Sequence, residues 1–307
     1  MDELATVFTL DRIQRLHESR THKIYSLLRP NDHQIPRVPT AEQSGLGYAV
    51  AHHFLEGAEA AAREGDQDTF TWYPANVVAD RTEWYTATAV GQRIILSPDL
   101  PSLPSSVISE TPYVLLGPDT TPAPAELRDR SAVAFATAAD MGFAALVAGH
   151  ATVVCLLRHR KRGDTLNSWT ISRLPGTIFT DHVGEPAILA RDLIHEAGHN
   201  WLNDALASGG VKISTNDAEF FSPWKNTVRP AFGFLHACWA FPLTMIYSAR
   251  VLDRVSVSVR TFLTGYLAQQ RELLAVTTDD HARALALIHD DDVRHRLDTV
   301  HRAARDL

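Results

Sequence analysis

Two histidines four residues apart, with a glutamate between them, make His195-Glu196-Ala197-Gly198-His199 the segment of this chain best suited to hold a divalent metal ion. On an α-helix, positions i and i+4 lie one above the other, so both imidazoles can point at a single ion. Glu196 projects from the same turn, where it can act on a bound water or fix a ligand's orientation. The geometry requires a helix, and the flanking residues carry its pattern. Ile188, Leu189, Leu193, Ile194, Ala197, Trp201 and Leu202 recur at helical spacing, and Glu185-Pro186 suits a first turn.

Two ligands do not complete a catalytic site, which normally has three protein ligands and an open position. The extended zinc motif that continues with a glycine and a third histidine is excluded, because Leu202 and Ala205 stand at those positions. His236, near the start of the next apolar helix, is the leading candidate, against the plainer reading of a core histidine in an ordinary hydrogen bond. Asp217 and Glu219 are rivals, since a carboxylate would complete either a two-His-plus-Glu zinc set or a two-His-one-carboxylate iron site. His182, upstream, is a weaker rival. Arg229 is positioned to clamp a carboxylate in a bidentate pair, against the alternative of a surface arginine flanking a helix. Lys225 could do the same as a point charge.

The elements that must position these residues are legible in outline. Residues 8–29 and about 40–64 read as helices joined by an ordered connection at 31–39. From Thr69 the chain turns to β-branched and aromatic runs, with strands expected among 70–78, 83–90, 93–96 and 113–116. Pro118–Pro124 is the best internal boundary. A long alanine-rich helix is expected from Ala125 to Ala148, then strands at 151–157 and 168–174, then Pro175-Gly176-Thr177-Ile178-Phe179 leading into the histidine helix. After an irregular 208–230, a helical C-terminal region follows, with a kink or break at Pro242 and a charged surface helix over 280–307. The fold class is α+β: mainly helical with a small mixed sheet, a zincin-like active-site helix and a helical C-terminal region. An N-terminal helical region, 1–68, would precede a metal-binding catalytic domain, 69–307.

With 307 residues and 45% apolar content, the chain can bury a sizeable core. Its net charge of −7 is dispersed and offers no basic surface for nucleic acid. Only Cys155 and Cys238 occur, outside any disulfide or Cys-x-x-Cys pattern, which points to a reducing compartment. Met1-Asp2-Glu3-Leu4 does not begin a signal sequence, and no stretch reaches the about 18–20 apolar residues of a membrane span. A cytoplasmic protein without membrane partners is expected.

Taken together, Leu193-Ile194-His195-Glu196-Ala197-Gly198-His199, Phe221-Ser222-Pro223-Trp224-Lys225, Arg229-Pro230 and Gly233-Phe234-Leu235-His236-Ala237 resemble the HExxH-motif peptide-modification proteins. These are encoded beside ribosomally made, post-translationally modified peptides (RiPP biosynthesis). The resemblance spans about residues 174–245. It implies an iron(II), 2-oxoglutarate-dependent dioxygenase that hydroxylates a side chain of a precursor peptide. His195, His199 and His236 would hold the iron, Arg229 would hold the distal carboxylate of 2-oxoglutarate, and Glu196 would stand beside the metal rather than act as a base. Ala237 and Cys238 stand where glycine is frequent in such proteins, and Lys225 where arginine is usual.

Two other readings compete. A zinc metallopeptidase would use Glu196 to take a proton from zinc-bound water, with His236, Glu219 or Asp217 as third ligand. A peptide-binding scaffold with a degenerate metal site would leave Glu196 dispensable. The need to bind a long flexible substrate leads to the expectation that the N-terminal helices and strands recognise a leader peptide.

Overall fold

The apolar runs flanking the histidine helix in sequence form the centre of one mixed sheet. The computed structural model describes residues 3–29, 44–77, 79, 81–100, 103, 108–109, 111–213 and 218–307. Strands β1 (Tyr85–Thr88), β2 (Gly91–Leu96), β3 (Val153–His159), β4 (Ser168–Trp169) and β5 (Thr177–His182) lie in the order β1-β2-β3-β5-β4. The central three are parallel, while β1 and β4 run antiparallel at the edges. Alternate residues of a strand face opposite sides. Ile95, Val154, Leu156 and Ile178 therefore join one core and Ile94, Val153, Cys155 and Phe179 the other. Both faces are covered, which is why β5 is buried along its whole length.

On one face lie α3 (Ser44–Glu64) and α4 (Gln67–Asn76), which supply Leu46, Ala49, Phe54 and Tyr73. Against the other pack α5 (Ala125–Ala138), α6 (Ala144–His150), the histidine helix α7 (Pro186–Ser208) and α8 (Ala231–Val251). Helices α9 (Val257–Ala275), α10 (Thr278–Leu285) and α11 (Asp291–Arg305) close around α8. Helix α2 (Asp11–Leu28) packs on α7 and α1 (Glu3–Val7) lies against residues 139–143, and between the two helices the Phe8 carbonyl accepts from Trp201 Nε1 at 3.0 Å. The α+β class, mainly helical with a small mixed sheet and a helical C-terminal region, is the one expected.

Several local expectations are overturned. Residues 70–78 have the composition of a strand, yet 67–76 form α4, started by Asp66, whose carboxylate accepts from the Thr69 N–H at 3.0 Å. Trp72 and Tyr73 pack against Phe54 of α3, and this packing outweighs the local β preference. Tyr113–Leu116 pairs with no strand among the described residues, and the Leu116 N–H donates instead to His53 Nδ1. Only Ser168 and Trp169 of the 168–174 run pair, whereas Thr177 in the presumed connector begins a core strand.

The alanine-rich helix is interrupted over Ala139–Phe143, where Gly142 has φ 92°, a value that favours glycine. Contrary to expectation, Ala125–His150 has the length and composition of a membrane-crossing helix. It is interrupted at Gly142, and Ala134, Phe135, Ala138, Phe143, Leu146 and Val147 are fully buried in the core. Pro242 lies inside α8 without ending it, because the helix is buried on nearly every side and packing holds its course. The irregular 208–230 region contains a hairpin, β6 (Glu219–Ser222) with β7 (Thr227–Pro230). The C-terminal charges lie on α10, which buries Ala284 and Leu285, and on α11, which buries Val293, Leu297, Val300 and Ala304. Helix α2 falls within the expected 8–29. The expected connection at 31–39 and the first residues of the second expected helix lie outside the described residues.

Candidate metal centre

Helix α7 begins at Pro186, whose fixed φ suits a first helical turn. Its apolar face holds it against the sheet and α8. The approach to α8 is close at Gly198. A Cβ there would meet Leu243 Cδ1 at 2.9 Å, and Trp239 Nε1 donates to the Gly198 carbonyl at 2.9 Å. This contact sets His236, three residues before Trp239 on α8, beside the histidine pair.

His195 and His199 converge as helical spacing requires, with Nε2 atoms 3.2 Å apart. Glu196 Oε1 lies 4.0 Å from His195 Nε2 and accepts a hydrogen bond from Ser168 Oγ of β4 at 2.6 Å. One donor atom from each of His195, Glu196 and His199 lies within 4.8 Å of the others. His236 meets the opposite side of the His199 ring, its Nδ1 3.0 Å from His199 Nδ1. Its Nε2 is buried without a hydrogen-bond partner, as is Glu196 Oε2.

All these groups wall a cavity of about 850 Å³. Burial lowers the affinity of His195, His199 and His236 for protons, reinforced at His199 by the Arg229 and Lys225 charges, which bring it to about 4. Neutral imidazole is the form that ligates metals. Burial pushes the Glu196 carboxyl up to about 8, against the Ser168 hydrogen bond. His195, Glu196 and His199 fit a divalent ion such as iron(II) or zinc, while His236 stands outside that group on the far side of the His199 ring, with its Nε2 unpartnered.

The hairpin supplies the cations. Its turn, with Asn226 in the left-handed region at φ 48°, carries Trp224 and Lys225 to the cavity. Trp224 stacks on Phe241, with centroids 4.8 Å apart and an interplanar angle of 4°, and donates to Gln270 Oε1 at 2.8 Å. Phe241 in turn lies against the His195 ring. Arg229 lies across the first turn of α8, where a Cβ on Gly233 would stand 3.0 Å from its Nη2 and 3.1 Å from its Cζ. Neither Arg229 nor Lys225 forms an ion pair among the described residues, and both face the cavity.

Of the rival third ligands, Glu219 is exposed at the start of β6 and His182 ends β5 beside His159, and neither lines the cavity. Asp217 lies outside the described residues. The structure adds three features to those expected. Ser168 gave no signal, being one serine in a two-residue strand. Gly233 makes the bed for Arg229. Asp192 lines the cavity three residues before His195, its Oδ1 accepting from Arg191 Nε and Nη2 at 2.8 and 2.6 Å. The helical spacing 192, 195, 199 could have flagged it. No protein-family model matches the chain, and no curated protein matches it.

Proposed function

We propose that the protein is an iron(II), 2-oxoglutarate-dependent hydroxylase acting on a side chain of a ribosomally made precursor peptide. The observation that carries this reading is the pair of cations, Arg229 and Lys225, unpaired among the described residues and opening onto the same cavity as the three histidines. A metal-chelating dicarboxylate keeps a distal carboxylate that such cations would hold.

In this reading His195 and His199 hold the metal through Nε2, and His236 completes the set with Nε2, its unpartnered nitrogen. Bound iron(II) would supply oxygen activation, coupled to conversion of 2-oxoglutarate to succinate and carbon dioxide, with one oxygen atom going into a C–H bond of the peptide. Arg229, bedded on Gly233, would bind the distal carboxylate, with Lys225 adding a second positive charge. Ser168 would fix the Glu196 carboxyl beside the metal, and the Trp224–Phe241 stack would pack against the His195 side of the site. The cavity, lined in part by the 162–170 segment, has the size to admit a peptide side chain together with a small dicarboxylate.

A zinc peptidase remains the second reading, supported by Glu196 Oε1 lying 4.0 Å from His195 Nε2, a position from which a carboxylate could serve as base. Anaerobic titration of the iron(II) protein with 2-oxoglutarate separates the two. The hydroxylase reading expects a visible metal-to-ligand charge-transfer band that disappears in Arg229→Gln at the same 2-oxoglutarate concentration. No band in the native protein, with peptide cleavage on zinc loading, overturns it.

A further inference from the structure

A second set of metal-type ligands is buried where α2, α6 and α7 meet. His17 Nε2 lies 2.8 Å from Asp204 Oδ2, and His150 Nδ1 lies 3.3 Å from the same oxygen. One donor atom from each of the three lies within 4.8 Å of the others, and all three side chains are at least nine-tenths buried. A hydrogen-bonded His17–Asp204 pair accounts for the shorter contact but not for His150. Its Nδ1 is buried and has no hydrogen-bond partner, although it is 3.3 Å from a carboxylate oxygen. The two interact as an ion pair but are poorly aligned for a hydrogen bond, so the nitrogen keeps capacity for an ion shared with that oxygen. Donors held at about 2.0–2.2 Å on one ion stand about 3–3.6 Å apart, a spacing that the 3.3 Å His150–Asp204 contact matches and that the 2.8 Å His17–Asp204 contact reaches with a small outward shift.

The surroundings are those of a built site. Tyr48 stacks on the His17 ring at 4.2 Å, and Arg20 Nη1 donates to the Tyr48 hydroxyl at 2.9 Å. The His150 carbonyl accepts from Asn200 Nδ2 at 3.0 Å. These contacts fix the ring and the chain that carry the nitrogens. Burial opposes ionisation of Asp204, yet His17 and His150 hold its carboxyl well below the usual range, so it is charged. Beside Asp204, though not lined by either histidine, lies a cavity of about 200 Å³ bounded by Arg20, Tyr48, Asn200 and Asn203, large enough for water to reach the carboxylate.

We infer that His17, His150 and Asp204 form a second divalent-cation site, of two nitrogens and one carboxylate, that ties α2 and α6 to α7. Nothing in this depends on the hydroxylase reading. Asp204 lies on the helix that carries His195 and His199 but on another face, about 140° round from His199 at 100° per residue. An ion there would brace the helix that presents the first site.

The test is zinc content of the full-length protein after metal removal, incubation with zinc chloride and desalting. The His195→Ala/His199→Ala double variant is expected to retain one zinc per chain and, loaded with cobalt(II), to show d–d absorption. Adding His150→Gln, which gives up the 3.3 Å contact with Asp204 but keeps a side chain able to hydrogen-bond it, is expected to abolish both, as is adding Asp204→Asn. A double variant that binds no zinc overturns the site and leaves a His17–Asp204 hydrogen bond alone. Zinc that survives both His150→Gln and Asp204→Asn overturns the assignment of these residues.

Discussion

The Nδ1 atoms of His199 and His236 lie 3.0 Å apart, on the side of the His199 ring that does not face His195. One imidazole cannot give both nitrogens to one ion, so His236 must reach the metal through its free Nε2 or serve His199 from behind. The hydroxylase account takes the first course. His236→Ala is then expected to weaken iron(II) binding by more than about 100-fold, read by competition with a chelator. A loss confined to about 10–100-fold is what removal of an orienting partner produces, and would move His236 out of the ligand set.

Gly233 leaves the space that the Arg229 guanidinium occupies. A methyl group there displaces a flexible side chain rather than backbone, so the fold should tolerate it. Gly233→Ala is expected to raise the KM for 2-oxoglutarate about tenfold, and Arg229→Gln about 10–100-fold, as loss of a charge-assisted carboxylate contact would. Metal content should be unchanged in both. Unaltered KM in Arg229→Gln would remove the clamp.

Glu196 separates the two enzyme readings. Held by Ser168 and not used as a base, it can be replaced by glutamine with iron(II) retained and succinate formation within about tenfold of native, whereas loss of a general base costs about 10²–10⁴-fold. Steady-state rates of Glu196→Gln measure which applies.

Away from the site, burial holds three histidines neutral: His53 and His281 are brought down to about 3 and His301 to about 4, from the ordinary 6.5. The unfolded chain takes up these protons near pH 6.5, and the folded chain resists until about pH 3–4. Their contribution to stability is therefore fully present above about pH 6.5 and declines as the pH falls through that window. The urea midpoint is expected to drop between pH 7 and pH 5, and His281→Gln, which removes one member of the stacked His281–His301 pair, to flatten that slope. An unchanged slope would contradict this.

What the sequence disclosed depended on whether the signal was local. The His195–His199 pairing follows from helical spacing, and the structure realises it at 3.2 Å. Strand β5 was hidden because a Pro-Gly start reads as a turn, and its two-sided burial gives no alternation to detect. Helix α4 was misread because Phe70, Thr71, Trp72 and Tyr73 have strand composition, and only their packing on Phe54 decides otherwise. Ser168 beside Glu196, and His17 and His150 beside Asp204, are brought together by tertiary folding across long stretches of chain, and no spacing rule reaches that far.

Succinate formed from 2-oxoglutarate by the iron(II)-loaded protein, measured with and without oxygen, tests the central claim most directly. The account predicts oxygen-dependent succinate with iron, none with zinc, and none in His195→Ala. Zinc-loaded protein that hydrolyses peptides, with no succinate formed under iron and oxygen, would contradict it.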